Sequence, residues 1–445
     1  MGYNNSFLVS FGATLLFSTC PHISEVIIWK ASYHYLQAML FMLLILFSAQ
    51  QFQSSQNNKY AYISICIYFI ASFTHEFFLL IPFFVFSLAL FYYLVLKNPF
   101  ITFKRTIIYF LIPFLVILGI HFAIIRLEYG NISANLGDEI NQPLITYLRK
   151  PPLYIFHILF CGRFYSHDTR EIVYVFFGKV IGLALFYGSI IAIYGYIILK
   201  FKTISKVTKF TILILTWMLA CMALVVPAWF PEVLLVDFDR YTYFMLPFIY
   251  VLLAFYLLKI SGKKVATFLM VFYLLINLSL THKENQLWCK SEKIVNKLVH
   301  NLPSSDNKTT LLLNLPEYMN GVRMIGPFLN YSFARMYNVY HDVPITNRMI
   351  DVVSYNMTGE NDGVHIMVIN DTLIHVTLNQ WGTWWWSNMV GASSYENKDF
   401  KFNLIDPGHW YELALKRPAD SFVLLFQTGD KWKIVDMKNK NIDQY

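Results

Sequence analysis

The chain is short of charged residues and of cysteine, and each shortage excludes a class of protein. Only 14% of its 445 residues are Asp, Glu, Lys or Arg, whereas a soluble globular protein carries about 25%. Disorder is excluded because 56% of the residues are hydrophobic, the reverse of a disordered composition. The five cysteines are scattered without a CxxC pair or zinc-ligand spacing, so neither a disulfide framework nor a structural zinc site is indicated.

Long apolar runs are abundant instead. A helix needs about 20 apolar residues to cross a hydrocarbon core of about 30 Å. Nine runs approach this length: 5–20, 31–50, 60–74, 77–96, 106–126, 175–199, 210–230, 241–259 and 265–281. Residues 153–165 are apolar but too few to span, which favours an interfacial or re-entrant helix. We therefore expect an all-α polytopic membrane domain over residues 1–281.

Basic residues occur in every second loop between these runs. Loops 51–59, 97–105, 200–209 and 259–264 hold eleven Lys and Arg residues and no acid. The positive-inside rule makes such loops cytoplasmic, which predicts a cytoplasmic N-terminus and an outward-facing C-terminal region. The excess positive charge is therefore a topology signal, and no nucleic-acid partner is expected.

All ten acidic residues before residue 282 fall on the side opposite to the basic loops. Acids contribute little to the positive-inside rule, so that rule does not explain their position. Two interpretations stay open. Either the outer loops are simply longer and more polar, or carboxylates line a site that faces outward at the membrane surface.

The composition changes near residue 282, where charged residues begin to mark a helix that leads away from the last apolar run. Beyond it, two pairs of short segments around turn residues predict β-hairpins. The pairs are Val364–Ile369 with Leu373–Leu378, and Ser421–Gln427 with Lys433–Asp436. Residues 311–316 form another apolar run. We expect residues 282–445 to form a small mixed α/β domain outside the membrane.

The first two predicted outer connections carry residues suited to chemistry. Glu25 and Trp29 are four residues apart, a spacing that puts both on one face of a helix. There the carboxylate could act as a base or hold a divalent ion, and the indole could stack on a sugar. The alternative is an ordinary aromatic belt beside a solvated Glu. His75 and Glu76 share a short turn, where a charged group is either functional, paired or wetted by headgroups.

Asp237, Asp239 and Arg240 precede the eighth apolar run. Two carboxylates at i and i+2 can share a divalent cation such as Mg²⁺ or Mn²⁺ where the backbone is extended. The arginine offers a bidentate fork for a phosphate. A lone DxD pair also arises often by chance.

Two further sets of residues have open alternatives. Arg163 and Arg170 flank the short apolar segment and could contact an anionic phosphate group or snorkel to lipid phosphates. In the tail, Trp384 and Trp385 belong to a cluster of four Trp within residues 381–386. Exposed, this cluster could stack on sugar rings or rest on the membrane, whereas buried it would be domain core.

The order of these motifs resembles the polytopic glycosyltransferases of the GT-C fold, which use dolichyl- or polyprenyl-phosphate sugars. That group includes protein O-mannosyltransferases and lipid-A aminoarabinose transferases. The resemblance rests on P-H-x-x-E-x-x-x-W beginning at Pro21, on His75-Glu76 before an L-x-x-P helix, and on D-R-Y-x-Y-x-x-x-P beginning at Asp239. It covers roughly residues 5–281.

The resemblance implies inverting transfer of a sugar from a polyprenyl-phosphate carrier to a glycan, lipid or protein acceptor. The reaction would take place on the non-cytoplasmic face, and the expected location is a bacterial inner membrane. With the interpretations above, the candidate site comprises three sets of residues and a metal pair. They are Glu25 and Glu76 as catalytic carboxylates, Arg240, His75 and Arg163 at the donor phosphate, and Trp29, Trp384 and Trp385 at the sugar. Asp237 and Asp239 are the candidate metal pair.

One feature departs from the family pattern. Such enzymes carry a catalytic Asp in a first outer loop after an initial span, whereas residues 1–24 contain no acid. The sequence is therefore expected either to begin after that span, to be inactive, or to use Glu25 instead. Two other classes stay open: a transporter or flippase of lipid-linked glycans, and a non-catalytic assembly protein whose tail binds a partner.

Overall fold

The computed structural model describes the chain as two compact units, residues 1–281 and residues 282–445. The protein is mostly helical, with a strand-rich C-terminal region. The structure describes residues 3–130, 144–165, 167–225, 240–303, 308–325, 332–342, 348–378, 394–406, 410–440 and 442–444.

Twelve of the described α-helices begin within the first unit, and most of the longer ones coincide with apolar runs. They are α1 (Tyr3–Ser18), α2 (Ser24–Ile28), α3 (Tyr33–Ser55), α4 (Lys59–Ala71), α5 (Ile81–Leu94), α6 (Phe100–Thr106), α7 (Ile112–Tyr129), α8 (Leu144–Leu159), α9 (His167–Gly178), α10 (Val180–Lys200), α11 (Lys206–Val225) and α12 (Leu246–His300). A π-helical turn, Ile107–Leu111, joins α6 to α7.

Length and composition let six of the described helices cross a membrane, which indicates a membrane protein. The bent pair Ser6–Ser18 and Pro21–Ile28 makes a seventh candidate span. Helix α4 is apolar but has only 13 residues, in keeping with the short third run of the sequence. Helix α12 covers both of the last two runs, and its backbone leaves the helical conformation at Gly262, with φ 74°. A left-handed φ of this kind favours glycine.

The first part of the short segment 153–165, up to Leu159, belongs to a longer helix. Helix α8 begins at Leu144 and ends at Leu159 with two prolines inside it, and a turn follows. One side of α8 is buried, including Lys150 and His157. The sequence analysis placed the start of this helix too late. The apolar residues begin after Pro152, whereas the helix also contains the basic residues before it.

Aromatic side chains pack against one another in the core of the first unit. Phe77 stacks on Phe244 with ring centroids 3.8 Å apart, and Phe84 packs on Trp217. The indole N–H of Trp217 donates to Ser87 Oγ at 2.7 Å. Satisfying the one polar atom of a buried indole in this way avoids the free-energy cost of an unmade hydrogen bond.

Two of the lysine-bearing connections contact each other. Arg105 donates to Gln56 Oε1 at 3.1 Å, to the Gln56 carbonyl at 3.1 Å and to Asn58 Oδ1 at 2.7 Å. Its guanidinium also lies over the Phe52 ring at 5.5 Å. Gln56 ends α3 in the left-handed conformation, so this set of bonds fixes the turn between α3 and α4 against α6.

In the second unit, thirteen strands make three sheets within the described residues. The strands are β1 (Thr309–Leu312), β2 (Leu315–Met319), β3 (Val322–Arg323), β4 (Met349–Asp351), β5 (Ser354–Met357), β6 (His365–Val368), β7 (Leu373–Thr377), β8 (Ser394–Glu396), β9 (Phe400–Asp406), β10 (Trp410–Leu415), β11 (Phe422–Thr428), β12 (Lys431–Ile434) and β13 (Asp443–Gln444). Helix α13 (Ser332–His341) contacts β4.

The sheets have the orders β12-β11-β1-β4, β13-β6-β7-β10-β9-β8 and β3-β2-β5. Strand β1 runs parallel to both β11 and β4, whereas adjacent strands of the six-stranded sheet are antiparallel. Both predicted hairpins are present, as β6–β7 and β11–β12. The run 311–316 is split between two sheets, because the buried Asn314 side chain pairs with the Gln427 main chain at 2.7 and 2.9 Å.

Replacing Arg105 by Ala is expected to lower the free energy of unfolding by about 1–3 kcal/mol, since hydrogen bonds made by a charged group are lost. Thermal unfolding in detergent measures the change. Lys104→Ala is the matched control, because Lys104 is the neighbouring cation and is exposed. Equal melting temperatures for the two variants would contradict the assigned role of Arg105.

Candidate functional site

A buried ion pair joins the first and last parts of the first unit. The Arg240 guanidinium contacts Glu25 Oε1, and the Arg240 main-chain N–H donates to Glu25 Oε2 at 2.9 Å. The Glu25 side chain is 2% exposed and that of Arg240 is 11% exposed. Both carboxylate oxygens are therefore engaged by a single residue that lies 215 positions away in the chain.

The local sequence explains how Glu25 becomes buried. Helix α1 ends at Ser18, and Pro21 opens a 3₁₀ turn at a position where its missing N–H costs nothing. The chain bends by 59° between the two helical segments. The short helix α2 that follows holds Glu25 in its first turn and buries it with Val26.

Two aromatic rings flank the arginine. The Arg240 guanidinium carbon lies 5.2 Å from the Trp29 ring centroid and 4.9 Å from that of Tyr241. Cation–π contacts of this kind are strongest where water is excluded. We call Glu25, Trp29, Arg240 and Tyr241 the Arg240 cluster. This cluster holds the Arg240 cation at the ends of several apolar helices.

Aromatic and imidazole rings connect the Arg240 cluster to the turn that holds His75 and Glu76. The Tyr35 ring lies 6.5 Å from Tyr241 and 4.4 Å from His75. His34 stacks beside His75 at 5.2 Å, and Phe244 contacts His75 at the same ring distance. We call His34, Tyr35, His75 and Phe244 the ring cluster. Sequence reasoning missed His34, Tyr35 and Phe244.

His75 is held as a neutral imidazole with a defined tautomer. Its Nδ1 accepts a hydrogen bond from the Phe77 main-chain N–H at 3.0 Å, so the proton of the neutral ring is on Nε2. Burial lowers the pKa of His75 to about 4. The contact of 3.7 Å to Glu76 is therefore not an ion pair at neutral pH, and His75 can offer a phosphate an N–H donor rather than a cation.

Glu76 differs from Glu25 in its accessibility. Its side chain is 68% exposed, whereas that of His75 is 10% exposed. Glu76 is thus an accessible carboxylate, while both oxygens of Glu25 are bonded to Arg240.

A second imidazole contact involves the segment just before Glu25. His22 precedes Glu25 by three residues and its ring centroid is 4.6 Å from that of His157 on α8. Both rings are buried, with exposures of 1% and 4%, and Lys150 on the same helix is 1% exposed. Lys150 and His157 were not predicted, because neither belongs to a recognisable motif and only packing brings α8 to this position.

The structure thus brings together some predicted site residues and leaves others undescribed. Glu25, Trp29 and Arg240 are in contact, and the ring cluster links them to His75 and Glu76. Asp237, Asp239, Trp384 and Trp385 lie outside the described residues, as does the side chain of Arg163. Among the residues that are described, no group of three or more His, Cys, Asp and Glu side chains is placed to hold a metal ion.

Comparisons with protein-family models, curated proteins and solved structures found no match to this chain.

The low pKa of His75 predicts that the protein loses stability in acid. Between pH 6.5 and about 4 the unfolded chain binds a proton at this ring and the folded chain does not, so the free energy of unfolding falls as pH falls. At pH 5 the loss from this group is about 2 kcal/mol. Unfolding in mixed micelles at pH 7 and pH 5 measures it.

The variant His75→Asn, whose amide oxygen can still accept from Phe77, should lose less stability between the two pH values than the wild type. His282→Asn replaces an exposed histidine and serves as the control. The same loss for His75→Asn and the wild type would show that His75 is not the responsible group.

Proposed function

We propose that the protein is a membrane glycosyltransferase that moves a sugar from a lipid-phosphate carrier to a glycan, lipid or protein acceptor outside the cytoplasm. The observation that carries the proposal is the Arg240 cluster. It holds a buried guanidinium against two aromatic rings, and the ring cluster joins it to the turn that carries the accessible carboxylate Glu76.

The proposed chemistry needs the charge of Arg240 at the donor phosphate. As the acceptor hydroxyl attacks the anomeric carbon, the bond from that carbon to the phosphate oxygen breaks and the phosphate leaves with the electron pair. A fixed cation that faces the developing charge stabilises this transition state. Glu25 holds the guanidinium in place, and His75 adds an N–H donor from Nε2.

Glu76 is the proposed general base. It is the exposed carboxylate of the site, so it can take the proton of the acceptor hydroxyl while the new glycosidic bond forms. Glu25 thereby becomes a positioning residue for Arg240, because both of its oxygens already accept hydrogen bonds. Trp29 is proposed to contact the sugar.

The remaining parts of the proposal concern topology and cofactors. We propose a GT-C-like arrangement of about nine spans, a cytoplasmic N-terminus, an extracytoplasmic α/β domain and residence in a bacterial inner membrane. In support, the connections at residues 21–30, 72–76 and 240–244 contact one another through the site, and the lysine-bearing connections 51–59 and 97–105 contact each other separately. A divalent cation at Asp237 and Asp239 remains part of the proposal.

A non-catalytic assembly protein is the second candidate, and one observation favours it. Both carboxylate oxygens of Glu25 are bonded to Arg240, as they would be in a purely structural pair. The two candidates differ in what they require of Glu76. A glycosyltransferase depends on this exposed carboxylate as its base, whereas a scaffold does not.

Replacing Arg240 by Ala is expected to lower sugar transfer by a factor of about 10²–10³, the usual effect of losing one fixed charge-stabilising group. Glu25→Gln should lower it as well, because the guanidinium loses its buried counter-charge. The assay incubates purified protein in detergent with labelled polyprenyl-phosphate sugars and follows transfer and donor hydrolysis. Arg126→Ala is the control, since Arg126 is an exposed arginine in the last turn of α7. Full activity of Arg240→Ala would eliminate the assignment.

Glu76→Gln tests the general base separately. It should lower kcat by about 10²–10⁴ without lowering retention of the lipid-phosphate donor. Glu128→Gln, an exposed carboxylate near the end of α7, is the matched control. If the donor is retained but neither the wild type nor the variant transfers sugar to any acceptor, the result supports the assembly function and contradicts the catalytic role of Glu76.

A further inference from the structure

The six-stranded sheet of the second unit has one covered face and one accessible face. Along β6, β7 and β10 buried residues alternate with exposed or half-buried ones. Ile366, Val376 and Tyr411 are on the covered face and are at most 1% exposed. Residues directly opposite each other on antiparallel strands share a face, so the pairings show which side chains lie together on the accessible face.

Two imidazole–carboxylate pairs occupy this accessible face. His375 Nε2 lies 2.9 Å from Glu412 Oε1, on the neighbouring strands β7 and β10. His365 Nδ1 lies 2.6 Å from Asp443 Oδ2, on β6 and β13. The side chains of the first pair are 27% and 29% exposed, and those of the second about half exposed. Each pair brings an imidazole and a carboxylate together at the surface.

An indole lies beside the first pair. The Trp410 ring centroid is 4.9 Å from that of His375, and Trp410 is directly opposite Thr377, which is itself opposite His365. A transverse row also runs from Asp443 through Met367, His375 and Glu412 to Asn403. With neighbouring strands about 4.8 Å apart, this row is about 19 Å long.

The chemistry of this face limits what it can bind. Each imidazole is matched by one carboxylate, so the two pairs provide no excess of positive charge for a phosphate or a nucleic acid. Among the described residues no three ligating side chains converge on a metal position. What the face offers is a flat indole together with fixed donors and acceptors. A pyranose ring matches this combination, since its C–H groups stack on an aromatic ring and its hydroxyl groups both donate and accept.

We propose that the accessible face of the six-stranded sheet binds a neutral oligosaccharide, with one pyranose on Trp410 and hydroxyl groups bonded by the two imidazole–carboxylate pairs. The inference stands apart from the proposed transfer reaction, because it concerns the second unit alone and requires no lipid-phosphate donor. A chain that transfers no sugar can still bind the oligosaccharide.

The test uses the full chain in detergent and isothermal titration with neutral tetrasaccharides of glucose, mannose, galactose and N-acetylglucosamine. Binding of at least one of them is expected. Thr377→Arg should weaken that binding at least ten-fold, because it places a long cation between His365 and Trp410. Thr377 is exposed, so the change leaves the fold intact, and Thr377→Ser is the matched control that keeps the small hydroxyl.

Trp410→Ala should lose binding as well, while Tyr340→Ala, which removes an aromatic side chain 48% exposed on α13, should bind as the wild type does. Three outcomes would overturn the proposal. They are no binding of any neutral tetrasaccharide by the wild type, equal binding by Thr377→Arg and Thr377→Ser, and binding only of an acidic tetrasaccharide such as oligogalacturonate. Sugar transfer is measured on the same variants, and unchanged transfer with lost binding would separate this site from the proposed reaction.

Discussion

The burial of Arg240 against Glu25 is the constraint on which the geometry of the first unit depends. Removing two charges from water costs several kcal/mol for each ion, and the cost is repaid only when geometry and additional hydrogen bonds are good. Here the carboxylate receives a main-chain N–H as well as the guanidinium. The pair therefore holds the turn before α12 against α2, and removing the Arg240 side chain takes the cation away from the buried Glu25 carboxylate.

That requirement extends to the neighbouring connections. Tyr241 follows Arg240 directly and contacts Tyr35, which contacts His75. Ring contacts therefore join the Arg240 position to the turn that presents Glu76. The arrangement keeps one carboxylate buried and one exposed, so two acidic residues of the same type lie in different environments.

The sequence predicts much of the helical framework, because an apolar run of sufficient length is typical of a membrane-spanning helix. It also predicts both tail hairpins, since Asn370-Asp371 and Gly429 are turn residues between alternating segments. Apolar composition does not predict the extent of a helix that buries polar residues, as Lys150 and His157 in α8 show. Of the site, motif spacing identified Glu25, Trp29, His75, Glu76 and Arg240 as candidates, but no local pattern could show that Glu25 pairs with Arg240 or that Tyr35 lies between Tyr241 and His75.

The two units present polar groups in different environments, one buried and one accessible to water. In the first unit, a carboxylate of a buried pair holds a full cation in a desolvated position, which suits an anion whose charge grows during a reaction. On the six-stranded sheet, each imidazole has its own carboxylate and the pairs are accessible to water, which suits a neutral ligand bound without a change of charge. A phosphate would compete with Glu412 and Asp443 for the imidazoles, whereas a hydroxyl group can bond to both members of each pair. The buried pair of the first unit is therefore suited to a reaction, whereas the accessible pairs of the sheet are suited to recognition.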